Sequence, residues 1–67
     1  MKIKYVIEND IATFDHYHVK KKSDNYFGVY DNYNTEITSG TSMWNACKKA
    51  KLLEIGYQQA KDDLELW

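Results

Sequence analysis

The chain has 67 residues and a nearly balanced charge, with nine lysines and no arginine against ten acidic residues, for a net charge of −1. This length fits one domain over residues 1–67 with a thin core, because a domain of about 60 residues buries only about 60% of its unfolded surface. A single cysteine excludes an internal disulfide. The balanced charge and the lack of guanidinium groups argue against a nucleic-acid binder.

The sequence has no apolar run of the length that a signal peptide or a membrane span requires. Its lone Cys47 favours a reducing compartment. We therefore expect a soluble cytoplasmic protein with no membrane partner. The chain is rich in Lys, Asn, Ile and Tyr and lacks Pro, a bias typical of an AT-rich genome such as that of a low-GC bacterium, its phage or a plasmid.

The first two predicted strands form a hairpin. Ile3, Tyr5 and Ile7 alternate with charged residues, which is the period of a half-buried strand. Asn9-Asp10 is a turn signal. Residues 11–19 are rich in β-branched and aromatic types and predict the second strand.

Residues 20–25 are polar and predict a loop. Residues 26–30 predict a third strand, in which Gly28 indicates a bulge or a close backbone approach. A second turn precedes a short fourth strand at residues 35–39.

A long C-terminal helix follows, with Ser42 as its N-cap. We expect it to run to about Asp63 and to tolerate Gly56. An apolar stripe at spacings of three and four defines its buried face: Met43, Ala46, Ala50, Leu53, Tyr57, Ala60, Leu64 and Trp67. The predicted fold is therefore α+β, with an antiparallel three- or four-stranded sheet packed against one long C-terminal helix.

Catalytic and metal-binding motifs are weak or missing in the sequence. His16 and His18, two apart on a predicted strand, should share its outer face, and two imidazoles do not complete a zinc site. Cys47 lies at the edge of the apolar stripe, where a small buried side chain is the ordinary role. There is no glycine-rich phosphate loop, serine elbow or paired-carboxylate motif. We expect no catalytic residues, no metal and no cofactor, and the protein should not be an enzyme.

The helix surface away from the stripe suggests a contact site. At 100° per residue, Trp44, Lys48, Lys51 and Ile55 fall on one line, with an aromatic and an aliphatic side chain framed by lysines. This composition is typical of an interface anchor. The alternative is that Trp44, in the first turn, folds back over the strand-to-helix loop.

The sheet offers a second surface, because one helix covers only one of its faces. Tyr17, Tyr26 and Tyr30, or the alternate set of residues, should lie on the open face. Tyrosines there suit a protein interface. Stacked bases are the alternative, with the basic run Lys20, Lys21 and Lys22 as the nucleic-acid contact.

From Tyr26 to Leu53 the chain resembles the HicB family of antitoxins. The family has a strand, a turn, a short strand ending in Thr-x-Gly and a capped helix, and five positions here match it without a gap: Ile37, Thr38, Gly40, Ser42 and Ala46. Asp31-Asn32 stands where the family has Pro-Asp, and Asn45 stands where it has Glu. The resemblance implies a partial double-stranded-RNA-binding-type sheet that binds a protein and blocks a toxin ribonuclease by covering it.

The leading hypothesis from the sequence is a small non-enzymatic inhibitor or antitoxin-like module that neutralises a protein partner by surface occlusion. It would be encoded by a phage or another mobile element, in an anti-defence or toxin–antitoxin role, with a homodimer as one form. The alternative is a nucleic-acid-binding module that uses Lys20, Lys21 and Lys22 with the sheet tyrosines.

Overall fold

A computed structural model describes residues 3–65 of the chain, with side chains for residues 3–61. These residues form a five-stranded antiparallel sheet, in the order β1-β2-β3-β4-β5, and one helix. The elements are β1 Val6–Glu8, β2 Ile11–Thr13, β3 Tyr17–Ser23, β4 Tyr26–Asp31, β5 Glu36–Gly40 and α1 Met43–Glu65. The predicted α+β class, an antiparallel sheet against a C-terminal helix, is confirmed, with more strands than expected.

The β1–β2 hairpin closes as the sequence predicts. Glu8 pairs with Ile11, which leaves Asn9 and Asp10 as a two-residue loop. Both loop residues have positive φ, at 53° and 63°. Asn and Asp tolerate this left-handed backbone better than most residues, and two such residues give the turn that suits the twist of a hairpin.

The predicted second strand, residues 11–19, is wrong as a single element. The chain turns between Phe14 and Tyr17, where the Phe14 N–H donates to the Tyr17 carbonyl oxygen at 2.8 Å. β2 ends before this turn and β3 begins after it. Because β-branched and aromatic residues continue through the segment, its composition does not mark the turn.

The predicted loop at residues 20–25 is also mostly strand. Lys20 pairs with Gly28 and Lys21 with Phe27, and the register shifts between Lys21 and Ser23. Only residues 24–25 form the turn into β4. Lys20 and Lys22 are tolerated in β3 because they lie on the side of the sheet that faces solvent, and Lys21 is exposed at the end of the helix side.

The core lies between α1 and the inner face of the sheet. On that face Ala12, Val19 and Val29 are adjacent across three strands and have no exposed surface. The helix contributes small side chains, which lets it approach the sheet closely. The buried core residues are Ala12, Phe14, Val19, Phe27, Val29, Ala46, Cys47 and Ala50.

The helix begins as expected but leaves the sheet earlier than its apolar stripe predicts. Ser42 Oγ accepts the Asn45 N–H at 3.1 Å, so Ser42 is the N-cap. Met43 and Leu53 pack against the core, whereas Tyr57 is 44% exposed and Ala60 is exposed. The Leu64 side chain and Trp67, predicted to continue the stripe, lie outside the described residues.

Two glycines occupy opposite kinds of environment. Gly40 ends β5 against the first turn of the helix, where a Cβ would lie 2.7 Å from the Ala46 nitrogen and 2.9 Å from its Cα. Backbone atoms cannot move aside without moving the helix. At Gly56, on the exposed side of α1, a Cβ would meet no atom within 4 Å.

The substitutions Gly40→Ala and Gly56→Ala should therefore change the free energy of unfolding in opposite directions. Gly40→Ala should lower the free energy of unfolding by about 2 kcal/mol or more, because it strains the strand-to-helix junction. Gly56→Ala should raise it by about 1 kcal/mol, because alanine is the better helix former, and raise Tm by about 4–8 °C. Thermal and urea unfolding of both variants would measure the changes, and shifts of the same sign would contradict the assigned packing.

Candidate functional site

A groove of about 500 Å³ runs between the β1 side of the sheet and the first half of α1. The helix packs mainly against β3, β4 and β5, so the side chains next to β1 stay uncovered. Tyr5 is 44% exposed and Ile7 52% exposed. The groove is lined by Tyr5, Ile7, Met43, Trp44, Cys47, Lys48 and Lys51.

Trp44 stands at the rim of this groove and is 72% exposed. The ammonium nitrogen of Lys48 lies 5.2 Å from the centre of its ring, a cation–π distance. Such exposure does not fit the alternative in which Trp44 is covered by the strand-to-helix loop. Its indole is presented to solvent beside two lysines and an apolar groove.

Of the other residues predicted for the helix surface, some line the groove and some do not. Lys51 is exposed and lines the groove with Lys48. Ile55 is half-buried and does not line it. Leu52, which neighbours this line of residues on the helix, is 62% exposed and also lies outside the groove lining. The sheet side of the groove therefore contributes Tyr5 and Ile7 to its apolar lining, whereas Ile55 contributes nothing.

Cys47 lies at the floor of the groove and is 6% exposed. Burial raises the pKa of its thiol, which favours the neutral form. A nucleophilic cysteine needs a lowered pKa. Its environment is that of a small apolar side chain between helix and sheet.

The three tyrosines proposed for the open sheet face do not all lie there. Tyr17 is half-buried on the helix side, edge-on to Tyr57 of the helix. Tyr26 and Tyr30 lie on the open face. The Tyr30 ring crosses Gly28, where a Cβ would come within 2.8 Å of the tyrosine oxygen. The atoms close to Gly28 thus belong to side chains, not to another backbone as the sequence suggests, and Tyr30 is only 9% exposed.

Charged and aromatic side chains cover Tyr30 on the open face. The His18 ring stacks on it with centroids 5.3 Å apart. The ammonium nitrogens of Lys20 and Lys22 lie 5.8 and 5.5 Å from its centre. Lys22 also lies 3.6 Å from the carboxylate of Glu36, which accepts a bond from the Tyr26 hydroxyl at 2.9 Å.

Lys21 is separated from its two neighbours in the basic run. It alternates to the helix side of β3, opposite Phe27. Its ammonium lies 3.8 Å from Asp24. The three lysines therefore do not form one surface.

The prediction that His16 and His18 share a face is wrong. His16 precedes β3, in the turn, and faces α1, where its ring stacks on Tyr57 at 4.0 Å. His18 faces away from the helix. Across the described residues, no three His, Cys, Asp or Glu side chains converge as a metal site would require.

Glu54 is the site residue that the sequence analysis missed. It has no exposed surface, and its carboxylate accepts the His16 backbone N–H at 2.7 Å and a bond from Gln58 at 3.3 Å. Its second oxygen lies 2.5 Å from His16 Nδ1. The spacing of four from Ala46 through Ala50 places Glu54 on the buried face, which is the signal that could have revealed it.

Comparison of the chain with protein-family models, curated proteins and solved structures gave no match. The likeness to the HicB antitoxins stays a hypothesis. In the part of the chain that the structure describes, no helix combines the length and apolar character needed to cross a membrane.

The His16–Glu54 contact should appear as a strong energetic coupling. Removing one partner of a buried hydrogen bond leaves the other unsatisfied and typically costs about 1–3 kcal/mol, whereas replacing both by apolar groups of similar shape costs much less. We expect His16→Phe, which keeps a ring against Tyr57, and Glu54→Met each to lower the free energy of unfolding. The double variant should lose less free energy of unfolding than the two single variants lose together. A double-mutant cycle in urea that is additive within about 0.5 kcal/mol would contradict the pairing.

His18 should make stability depend on pH. Burial and then the Lys20 ammonium lower its pKa below the usual 6.5, with Asp31 opposing the change. The unfolded chain therefore binds a proton at higher pH than the folded one, so stability is lost as pH falls through about 6.5. His18→Gln should reduce the loss of Tm between pH 7.5 and 5.5. An unchanged loss in the variant would show that His18 does not contribute.

Proposed function

We propose that this protein is a small non-enzymatic inhibitor or antitoxin-like module that binds a protein partner and neutralises it by covering its surface. The groove beside α1 would be the contact site. The observation that carries the proposal is the exposure of Trp44, at 72%, on the rim of an apolar groove with lysines beside it. We place the protein in the cytoplasm, encoded by a phage or another mobile element.

The groove has the composition of a protein interface. Its centre is apolar, with Ile7 and Met43, and its rim carries Lys48 and Lys51. Interfaces are enriched in aromatic residues and have a polar rim, and tryptophan is among the residues that most often dominate binding energy. A fitting partner would insert an apolar side chain beside Trp44 and place acidic residues against the two lysines.

A nucleic-acid-binding role has weaker support. Lys20 and Lys22 lie on the open face of the sheet, but the ring between them, Tyr30, is covered and offers no free surface for a base. Glu36 adds negative charge at the same place. Binding to RNA or DNA that weakens steeply with salt would favour this alternative.

Trp44→Ala tests the proposal. The partner would be obtained by pull-down from the source cell and identified by mass spectrometry, and affinities measured by calorimetry. We expect Trp44→Ala to weaken binding by about 2 kcal/mol or more, as loss of an anchor residue does, with Tm little changed because the side chain is mostly exposed.

Leu52→Ala is the matched control, because Leu52 is an exposed apolar residue of the same helix outside the groove. It should leave affinity unchanged. A Trp44→Ala variant with a lower Tm and unchanged affinity would instead assign Trp44 to the fold. A strict monomer in light scattering at high concentration, together with no captured protein, would refute the interaction.

A further inference from the structure

A second pocket, of about 260 Å³, lies where the helix passes the start of β3 and the end of β4. It is smaller than the range of about 300–1,000 Å³ typical of sites for drug-sized ligands. Its size suits a single head group or side chain. Three tyrosines, one histidine and one aspartate are among the residues that line it: Tyr17, Tyr33, Tyr57, His16 and Asp31.

Two of the tyrosine rings form perpendicular walls. Tyr17 and Tyr57 have centroids 6.4 Å apart and planes at 87°. Tyr57 is held in place by its stack on His16, whose Nδ1 is bonded to the buried carboxylate of Glu54. Tyr33, 88% exposed, flanks the pocket from the β4–β5 turn. The faces of aromatic rings carry negative charge density and attract cations.

Asp31 supplies a fixed carboxylate to the same pocket. Its Oδ1 accepts the backbone N–H groups of Tyr33 at 2.8 Å and Thr35 at 2.9 Å, so the local turn holds its position. Burial first, and then Glu54, Tyr57 and Asp31, raise the pKa of Tyr17. Only part of that shift comes from nearby negative charge, which at this ring would favour a positively charged occupant.

We propose that this pocket binds an organic ammonium group, either a lysine side chain of a protein or a free quaternary amine. The rings supply cation–π attraction and Asp31 supplies charge. His16 does not oppose this, because any positive charge on its ring would be compensated by the carboxylate of Glu54, which lies buried behind it. The site is separate from the groove at Trp44 and does not depend on the function proposed for that groove.

Binding can be tested with choline and its uncharged analogue of the same shape, 3,3-dimethylbutan-1-ol. We expect choline to shift the amide resonances of Tyr17, Asp31 and Tyr57 in two-dimensional NMR titrations. The alcohol should bind about tenfold more weakly, which corresponds to a cation–π and charge contribution within the usual range. Nα-acetyl-lysine methylamide, titrated in parallel, separates the two sources. Tighter binding than choline assigns the site to a lysine side chain, and weaker binding assigns it to a quaternary amine.

Asp31→Asn removes the charge and keeps the Oδ1 acceptor for the turn. Asp24→Asn is the matched control, because it makes the same change in net charge in the turn at the other end of β3 and β4, where the Asp24 side chain is 99% exposed. We expect Asp31→Asn to weaken choline binding at least fivefold and Asp24→Asn to leave it unchanged, with both variants folded by circular dichroism.

Tyr33→Ala gives a second test, because an exposed turn residue can be removed without loss of the fold. We expect a twofold to fivefold loss of choline affinity. Equal binding of choline and the alcohol, equal effects of Asp31→Asn and Asp24→Asn, or no response to either ammonium probe would each overturn the proposal.

Discussion

The contact on which the described structure depends most is the one between Glu54 and the turn before β3. Burial of a carboxylate costs several kcal/mol unless hydrogen bonds compensate, and Glu54 finds them on the backbone and ring of His16. The helix is thereby joined to the β2–β3 turn. The same contact sets the plane of the His16 ring and hence of Tyr57, which stacks on it. An interaction in the interior therefore determines the shape of a surface pocket.

The second constraint is geometric, because α1 is narrower than the sheet it covers. Along its first half, the helix leaves the side chains of β1 open and creates the groove at Trp44. Further along, where it passes the ends of β3 and β4, it leaves the pocket at Tyr57. The small side chains of Ala46 and Ala50 bring the helix close to the sheet but do not increase the width of sheet that it covers. Both candidate sites are thus gaps on the flanks of one helix.

Local signals in the sequence were sufficient to predict those features of the structure that depend on residues close together in the chain. The hairpin at Asn9-Asp10 and the cap at Ser42 follow from backbone preferences, and helix periodicity placed Trp44 with its lysines. The missed features depend on partners far along the chain. Helix periodicity can place Glu54 on the buried face, but it cannot identify His16, 38 positions away, as its partner. The contribution of β1 to the groove required the packed fold for the same reason.

Cys47 gives the protein an internal reporter of its own motions. The thiol is the chain's single one and lies between the core and the groove floor, where it is 6% exposed. A thiol reagent meets little of this sulfur while the helix stays packed on the sheet, so the labelling rate should rise with local opening of the helix. An occupant of the groove would shield the sulfur further. One chemical rate on the natural sequence thus records both helix detachment and groove occupancy.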